Sequence, residues 1–93
     1  MSDGQQPYHL RVTGPAQRQL ARLPEGTAAA IIEFMLGALL DSPHRVGGLL
    51  QRELAGMHSA RRGAYRILYE IIEANQFVVV HRIDHRSTMY RPR

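Results

Sequence analysis

The stretch Ser59 to Tyr69 (S-A-R-R-G-A-Y-R-I-L-Y) limits what this 93-residue chain can fold into more than any other. Arg62-Gly63 supplies a turn, and Tyr65, Ile67, Tyr69 and Ile71 follow with period two, the pattern of the second strand of a β-hairpin. Arg61, Arg62 and Arg66 crowd the same hairpin. A sheet face ordinarily buries apolar groups, so a guanidinium there either projects to solvent or awaits an anion. With Arg62-Gly63 as a two-residue turn, residue 61 pairs with 64, 60 with 65 and 59 with 66. That register places Ser59, Arg61 and Arg66 on one face and Tyr65, Ile67 and Tyr69 on the other.

The remaining elements are read around this hairpin. Residues 1–7 are polar and expected to be flexible. Tyr8, Leu10 and Val12 alternate along a first strand. Thr13-Gly14-Pro15 is a helix entry, with Thr13 as N-cap and Pro15 in the first turn. Ala16, Leu20 and Leu23 form the apolar stripe of a short helix that stops at Pro24. A second helix is expected from about Gly26 to Leu40, with Ala29, Ile32, Met35, Leu36, Leu39 and Leu40 buried, ended by Asp41-Ser42-Pro43. His44 to Gly56 reads as loop, tucked onto the core by Leu49, Leu50 and Leu54. Strands then span 57–61, 64–73 and 76–83, with Asn75 in the second turn. The order β-α-α-β-β-β predicts an α+β fold in one domain over 1–93: an antiparallel sheet with a helical hairpin on one face and the other face open. The pattern does not decide whether His81 or Arg82 joins Arg66 on the open face, because a one-residue slip at the second turn flips the last strand.

Charge points to the open face as well. All twelve basic residues are arginine. Five arginines balance five acidic groups over residues 1–57, so the whole net charge of +4 lies in residues 58–93. Such asymmetry favours a polyanionic partner, nucleic acid first, with an acidic protein partner as the alternative. There is no cysteine, which excludes disulfides and thiolate metal sites. No apolar run reaches the ~20 residues of a membrane helix, and the first residues lack a signal pattern, so a cytoplasmic protein with no membrane partner is expected.

Strong catalytic signatures are missing: no phosphate-binding P-loop, no H-E-x-x-H, no G-x-S-x-G and no G-x-G-x-x-G. The histidines lack metal-ligand spacing, so neither metal nor cofactor is expected. What remains is Arg61, Arg66, Arg82, His85, Arg86 and Tyr90, with His58 and Arg62 as flanking, substrate-side surface. Arginine suits phosphate because its planar fork makes paired, charge-assisted hydrogen bonds. RNA cleavage needs little more: a 2′-OH that loses a proton, stabilisation of the pentacoordinate phosphate, and a proton for the leaving 5′-oxygen. Histidine can serve as acid or base, whereas tyrosine needs nearby positive charge. Equally, Arg61 and Arg66 can be ordinary exposed sheet residues, His85 a plain loop histidine and Tyr90 a ring packed on the sheet edge.

The run Pro43…Gly47…Leu50…Glu53-Leu54-Ala55-Gly56…Ser59 to Tyr69, followed by Val80…His85-Arg86…Tyr90, resembles the RelE-type toxins of the RelE/ParE superfamily, in its actinobacterial, mycobacterial-like branch. The G-x-Y-R-x-x-Y strand and the H-R-x-x-x-Y ending are the most specific pieces. The resemblance implies that Arg66 contacts the scissile phosphate and that Arg86, beside His85, and Tyr90 take part in acid–base work. It implies metal-independent endonucleolytic cleavage of mRNA in the ribosomal A site. A cognate RelB-like antitoxin would neutralise the toxin, and the pair would reach operator DNA together as co-repressors. Two departures stand out. Some ribosome-dependent members carry two basic residues where Met57 and Ser59 stand here, and Ala64 occupies a position that is often acidic. A ParE-like gyrase-inhibiting toxin and a catalytically weak co-repressor module are the alternatives.

Overall fold

The structure, a computed structural model, describes residues 7–51 and 54–85. Strand β1 (His9–Val12) leads into helix α1 (Gly14–Ala21) and helix α2 (Glu25–Phe34), which widens into a π-helical turn over Met35–Leu39. Strands β2 (Gly48–Leu49), β3 (His58–Arg62), β4 (Tyr65–Ile72) and β5 (Phe77–His85) follow. Their order in the sheet is β1-β5-β4-β3-β2. The expected α+β layout holds, with the helical hairpin covering one face. Two details differ from expectation. The sheet is mixed, because β1 runs parallel to β5. The stretch expected to be loop contributes β2, which pairs antiparallel with β3. Period-two alternation reports which face a residue occupies and carries no information on strand direction, and two residues are too few to show a period.

Thr13 caps α1 as anticipated: its side-chain oxygen accepts from the Ala16 amide at 3.4 Å. It also donates to the His81 carbonyl at 3.2 Å, tying the helix start to β5. Gln19, one turn further on, continues this work past the end of β1. The Ile83 amide donates to Gln19 Oε1 at 2.8 Å, so α1 satisfies an edge of β5 that β1 no longer covers.

The core is built from Ala16 on α1, Ile31, Met35 and Leu39 on the second helix and its π turn, and Ala60, Ile67, Tyr69, Val78, Val80 and Ile83 on the sheet. The buried helix stripe matches the predicted one at Met35, Leu39 and Leu40 and departs from it at Ala29, Ile32 and Leu36. Ile31 replaces Ile32, and Leu36 is 60% exposed. The segment from Ala28 to Leu40 is apolar nearly all round, so several stripes fit its pattern. The π turn then inserts a residue and changes the phase. Leu49 and Leu54 are likewise exposed and do not tuck onto the core.

The β3–β4 hairpin turns at Gly63-Ala64, one residue later than predicted, with Arg62 opposite Tyr65 and Arg61 opposite Arg66. Gly63 has φ +63°, and a turn with glycine at its first central position matches strand twist. Each strand partner therefore moves by two residues relative to the predicted register, and an even shift leaves every side chain on its predicted face. Between β4 and β5 the register shifts at Leu68/Tyr69. Arg82 faces Leu68, Val80 faces Tyr69, and His81 is the extra residue of a β-bulge.

Gly47 lies where the chain rounds the edge of β3. A Cβ there would sit 2.5 Å from the Tyr69 hydroxyl and 2.7 Å from the Ser59 carbonyl oxygen, whereas a Cβ on Gly48 meets nothing within 4 Å. Gly47→Ala is expected to destabilise the fold by about 1–3 kcal/mol, the range for overpacking a tight contact. Gly48→Ala should fall within ~0.5 kcal/mol of the parent. Urea denaturation of the two variants checks the contrast.

Candidate functional site

No helix among the described residues covers the second face of the sheet. β3 places Ser59 and Arg61 on it; β4 places Arg66, Leu68 and Glu70 there, and β5 places Arg82 and Asp84 there. The bulge adds His81 to the same side, where its Nε2 lies 3.1 Å from Glu70 Oε1. A strand without the bulge would have to choose between His81 and Arg82. The bulge lets both join the arginine face.

Arg61 and Arg66 stand directly opposite each other across β3 and β4. Like charges in that position repel, and among the described residues no carboxylate lies within ion-pair distance of either. Asp84, opposite Arg66 across β4 and β5, is committed elsewhere. Its Oδ2 is 2.9 Å from Arg82, and its Oδ1 accepts from Gln19 Nε2 at 3.3 Å. Arg82 thus neutralises a buried carboxylate, which ties its guanidinium to the protein. Arg61, Arg66 and Ser59 instead form one side of a cleft of about 440 Å³, whose other side is the loop from Arg45 to Leu50. That volume lies within the range of small-molecule sites.

The loop wall is held from the helix side. The buried Tyr69 hydroxyl donates to the Pro43 carbonyl at 2.6 Å, and burial pushes its pKa up to about 12, so it remains a donor. His44 contacts Glu73 at 2.5 Å, and Tyr8 donates to the other Glu73 oxygen at 2.9 Å. The hydrogen bonds from His44 and Tyr8 hold the Glu73 carboxyl below its ordinary pKa, and the bond to Glu73 raises that of Tyr8. His58 stacks on Tyr69 with ring centroids 5.4 Å apart, and its buried Nδ1 has no hydrogen-bond partner among the described residues.

The residues singled out from sequence therefore separate into groups. Arg61, Arg66 and Arg82 share the open face, the first two in the cleft. His58, Arg62 and His85 lie on the helix side. His58 is opposite Tyr69, Arg62 opposite Tyr65, and His85 opposite Tyr65 in an edge-on ring contact at 5.0 Å. His85 belongs to β5 and not to a loop, and strand alternation turns it away from Arg66. The same alternation corrects the expectation that His58 and Arg62 flank the arginines as substrate-side surface. Arg86 and Tyr90 lie outside the described residues. Arg45, which sequence reasoning missed, lines the cleft. Its only sequence signal was a position two residues after a helix-ending proline in a glycine-containing loop. No group of three or more histidines and carboxylates among the described residues is placed to hold a metal ion. No helix among them is long and apolar enough to cross a membrane.

A helical hairpin on one side of a five-stranded mixed sheet, with paired arginines in a cleft on the other, defines a small α+β domain with a cationic face. Its relatives are specific. The profile of the ParE toxin of type II toxin–antitoxin systems, parDE, matches residues 10–90. Toxin RelE of Mycobacterium tuberculosis is 50% identical over 91 residues, covering 98% of this chain and 93% of that protein. Toxin RelG of the same organism is 51% identical over 85 residues, covering 91% and 98%. The toxin–antitoxin complex RelBE2 of M. tuberculosis contains a chain of the same fold at TM-score 0.84 and 51% identity, over 87% of this chain and all of that one. The chain belongs to the RelE/ParE superfamily of type II toxin–antitoxin toxins and is a RelE-type member, similar to mycobacterial relatives.

His58 generates a pH dependence. Desolvation, with the nearby His44 charge second, lowers its pKa from 6.5. The unfolded chain therefore binds the proton more tightly. The stability that depends on neutral His58 is fully present above about pH 6.5 and is lost as pH falls from there to the lower folded-state value. Urea midpoints of the parent and His58→Gln between pH 5 and 8 should differ by a constant amount above pH 6.5. Below it the parent should lose more stability than the variant.

Proposed function

We propose that this toxin is a metal-independent endoribonuclease, an mRNA interferase that cuts messages in the ribosomal A site and so stops translation. The observation that carries the reading is the cofacial pair Arg61 and Arg66, set in a cleft with no carboxylate partner among the described residues. Two opposed guanidinia cost folding energy where nothing neutralises them, and a phosphate between them removes that cost. As the 2′-OH attacks, negative charge accumulates on the non-bridging oxygens. Donors already aimed at that point need no reorganisation. The proton transfers are assigned to Arg86 and Tyr90 on the family resemblance, with His85 in support from the opposite side of β5. Its ring packs edge-on against Tyr65, on the face opposite Arg66.

The ribosome and mRNA are the macromolecular targets in this reading. A RelB-like antitoxin is the neutralising partner, supported by the toxin–antitoxin complex among the relatives. The two together would repress their operon, and the protein would act in the cytoplasm. One observation favours a second reading, a gyrase-inhibiting toxin: the matching family profile is described as ParE. The lack of basic residues at Met57 and Ser59 leaves a weaker co-repressor role as the third.

Arg66→Ala should lower cleavage by roughly 10²–10³-fold, the loss typical of removing one donor to a developing oxyanion, and relieve growth arrest while the variant still folds and binds its antitoxin. Primer extension on translated messages after induction reads the outcome. New 5′ ends within codons that vanish in Arg66→Ala support the interferase. Intact messages with an induced DNA-damage response point to gyrase instead, and intact messages without one to a co-repressor.

A further inference from the structure

The cleft has a second cationic wall. Arg45 lines it from the loop, facing the strands that carry Arg61 and Arg66. Its side chain is exposed, and among the described residues no carboxylate lies within ion-pair distance of it. Its backbone, by contrast, is held firmly. The Arg45 and Val46 amides both donate to the Ser42 carbonyl, at 3.0 and 3.1 Å. Pro43 is fully buried and accepts the Tyr69 hydroxyl bond, His44 is tied to Glu73, and Gly47 packs against Tyr69 and Ser59. A cation on a rigid base, lining a cleft that already holds two, binds an anion without first having to order its own segment.

The walls between these cations are apolar. Val46 and the 62%-exposed Leu49 come from the loop, and Gly48, opposite Ser59, leaves the cleft open where any side chain would project into it. Three arginines on two walls, separated by apolar surface, match a nucleoside carrying a phosphate at each end better than a single phosphate.

We infer that the cleft grips two consecutive phosphates of single-stranded RNA, one on Arg61 and Arg66 and its neighbour on Arg45, with the nucleoside between them against Val46 and Leu49. The inference rests on the reading of the cleft as an RNA site and adds a residue and a minimal ligand, a nucleoside 3′,5′-bisphosphate. Arg45 has no counterpart in the strand and tail motifs that define the candidate site.

Adenosine 3′,5′-bisphosphate and adenosine 5′-monophosphate, titrated into the intact chain by calorimetry at low salt, test it. The bisphosphate should bind roughly tenfold more tightly, since it engages a second charge-assisted contact. Arg45→Ala should reduce that preference to near onefold, and Arg45→Lys should keep most of it. Arg18→Ala, which removes the same charge from the exposed side of α1, should leave it unchanged. With a 2′-O-methylated RNA oligonucleotide, Arg45→Ala should also reduce the slope of log affinity against log salt by about 0.7, one phosphate's share for a single strand. An unaltered preference and slope in Arg45→Ala, with binding still dependent on Arg66, overturns the two-phosphate site and leaves the RNA reading standing. Loss of the preference in Arg18→Ala as well overturns it too, because net charge alone would then explain it. Binding indifferent to both Arg45 and Arg66 overturns the RNA reading together with the inference.

Discussion

The hydrogen bond from the buried Tyr69 hydroxyl to the Pro43 carbonyl joins the two halves of this molecule. Tyr69 is fully buried in the core under the helices, so its position is set by packing. Its hydroxyl then needs a partner, and the partner is a loop carbonyl that would otherwise be buried without one. That single requirement brings the chain after the π turn against β3. From there it dictates glycine at position 47, places β2 beside Ser59 and hangs Arg45 over the cleft. The core thus positions the site through one polar contact.

The arginine face shows the opposite economy. Folding alone would separate Arg61 and Arg66 or give them a carboxylate. Asp84 is close at hand, directly across from Arg66, yet it is buried against Arg82 and Gln19. Local rules are broken where a protein works and obeyed elsewhere, and the uncompensated pair is the clearest such breach among the described residues. The β-bulge at His81 belongs to the same design. By admitting one extra residue it turns Arg82 toward Asp84 and His81 toward Glu70, so the carboxylates flanking the pair already have partners.

Comparison with relatives sharpens this picture unevenly. Half-identical mycobacterial toxins establish the family and the toxin–antitoxin setting. They say nothing of individual side chains, which the structure of this chain places. Met57 and Ser59 are not basic, and the third arginine of the cleft comes from the loop. The cationic character of the cleft thus comes from two strands and a loop together.

How much of this was legible in the sequence follows from the length scale of each cause. Alternation at Tyr65, Ile67 and Tyr69 sorted the hairpin into two faces. The sorting survived a misplaced turn because the register moved by an even number of residues. Thr13 as a cap, Pro24 as a stop and the hairpin of helices were equally readable, since each depends on neighbours within a few positions. Four features were not. The parallel pairing of β1 with β5, the phase of an all-apolar helix, the bulge that settles His81 and Arg82, and Arg45 over the cleft depend on groups far apart in the chain. The sequence by itself determined the two faces of the sheet and the excess of arginine on one of them, because side-chain alternation and charge are local properties. Only the tertiary structure decided which arginines meet, which one is spent on a buried carboxylate, and that His58, Arg62 and His85 lie on the other side. Those outcomes depend on register and loop closure, which long-range packing sets.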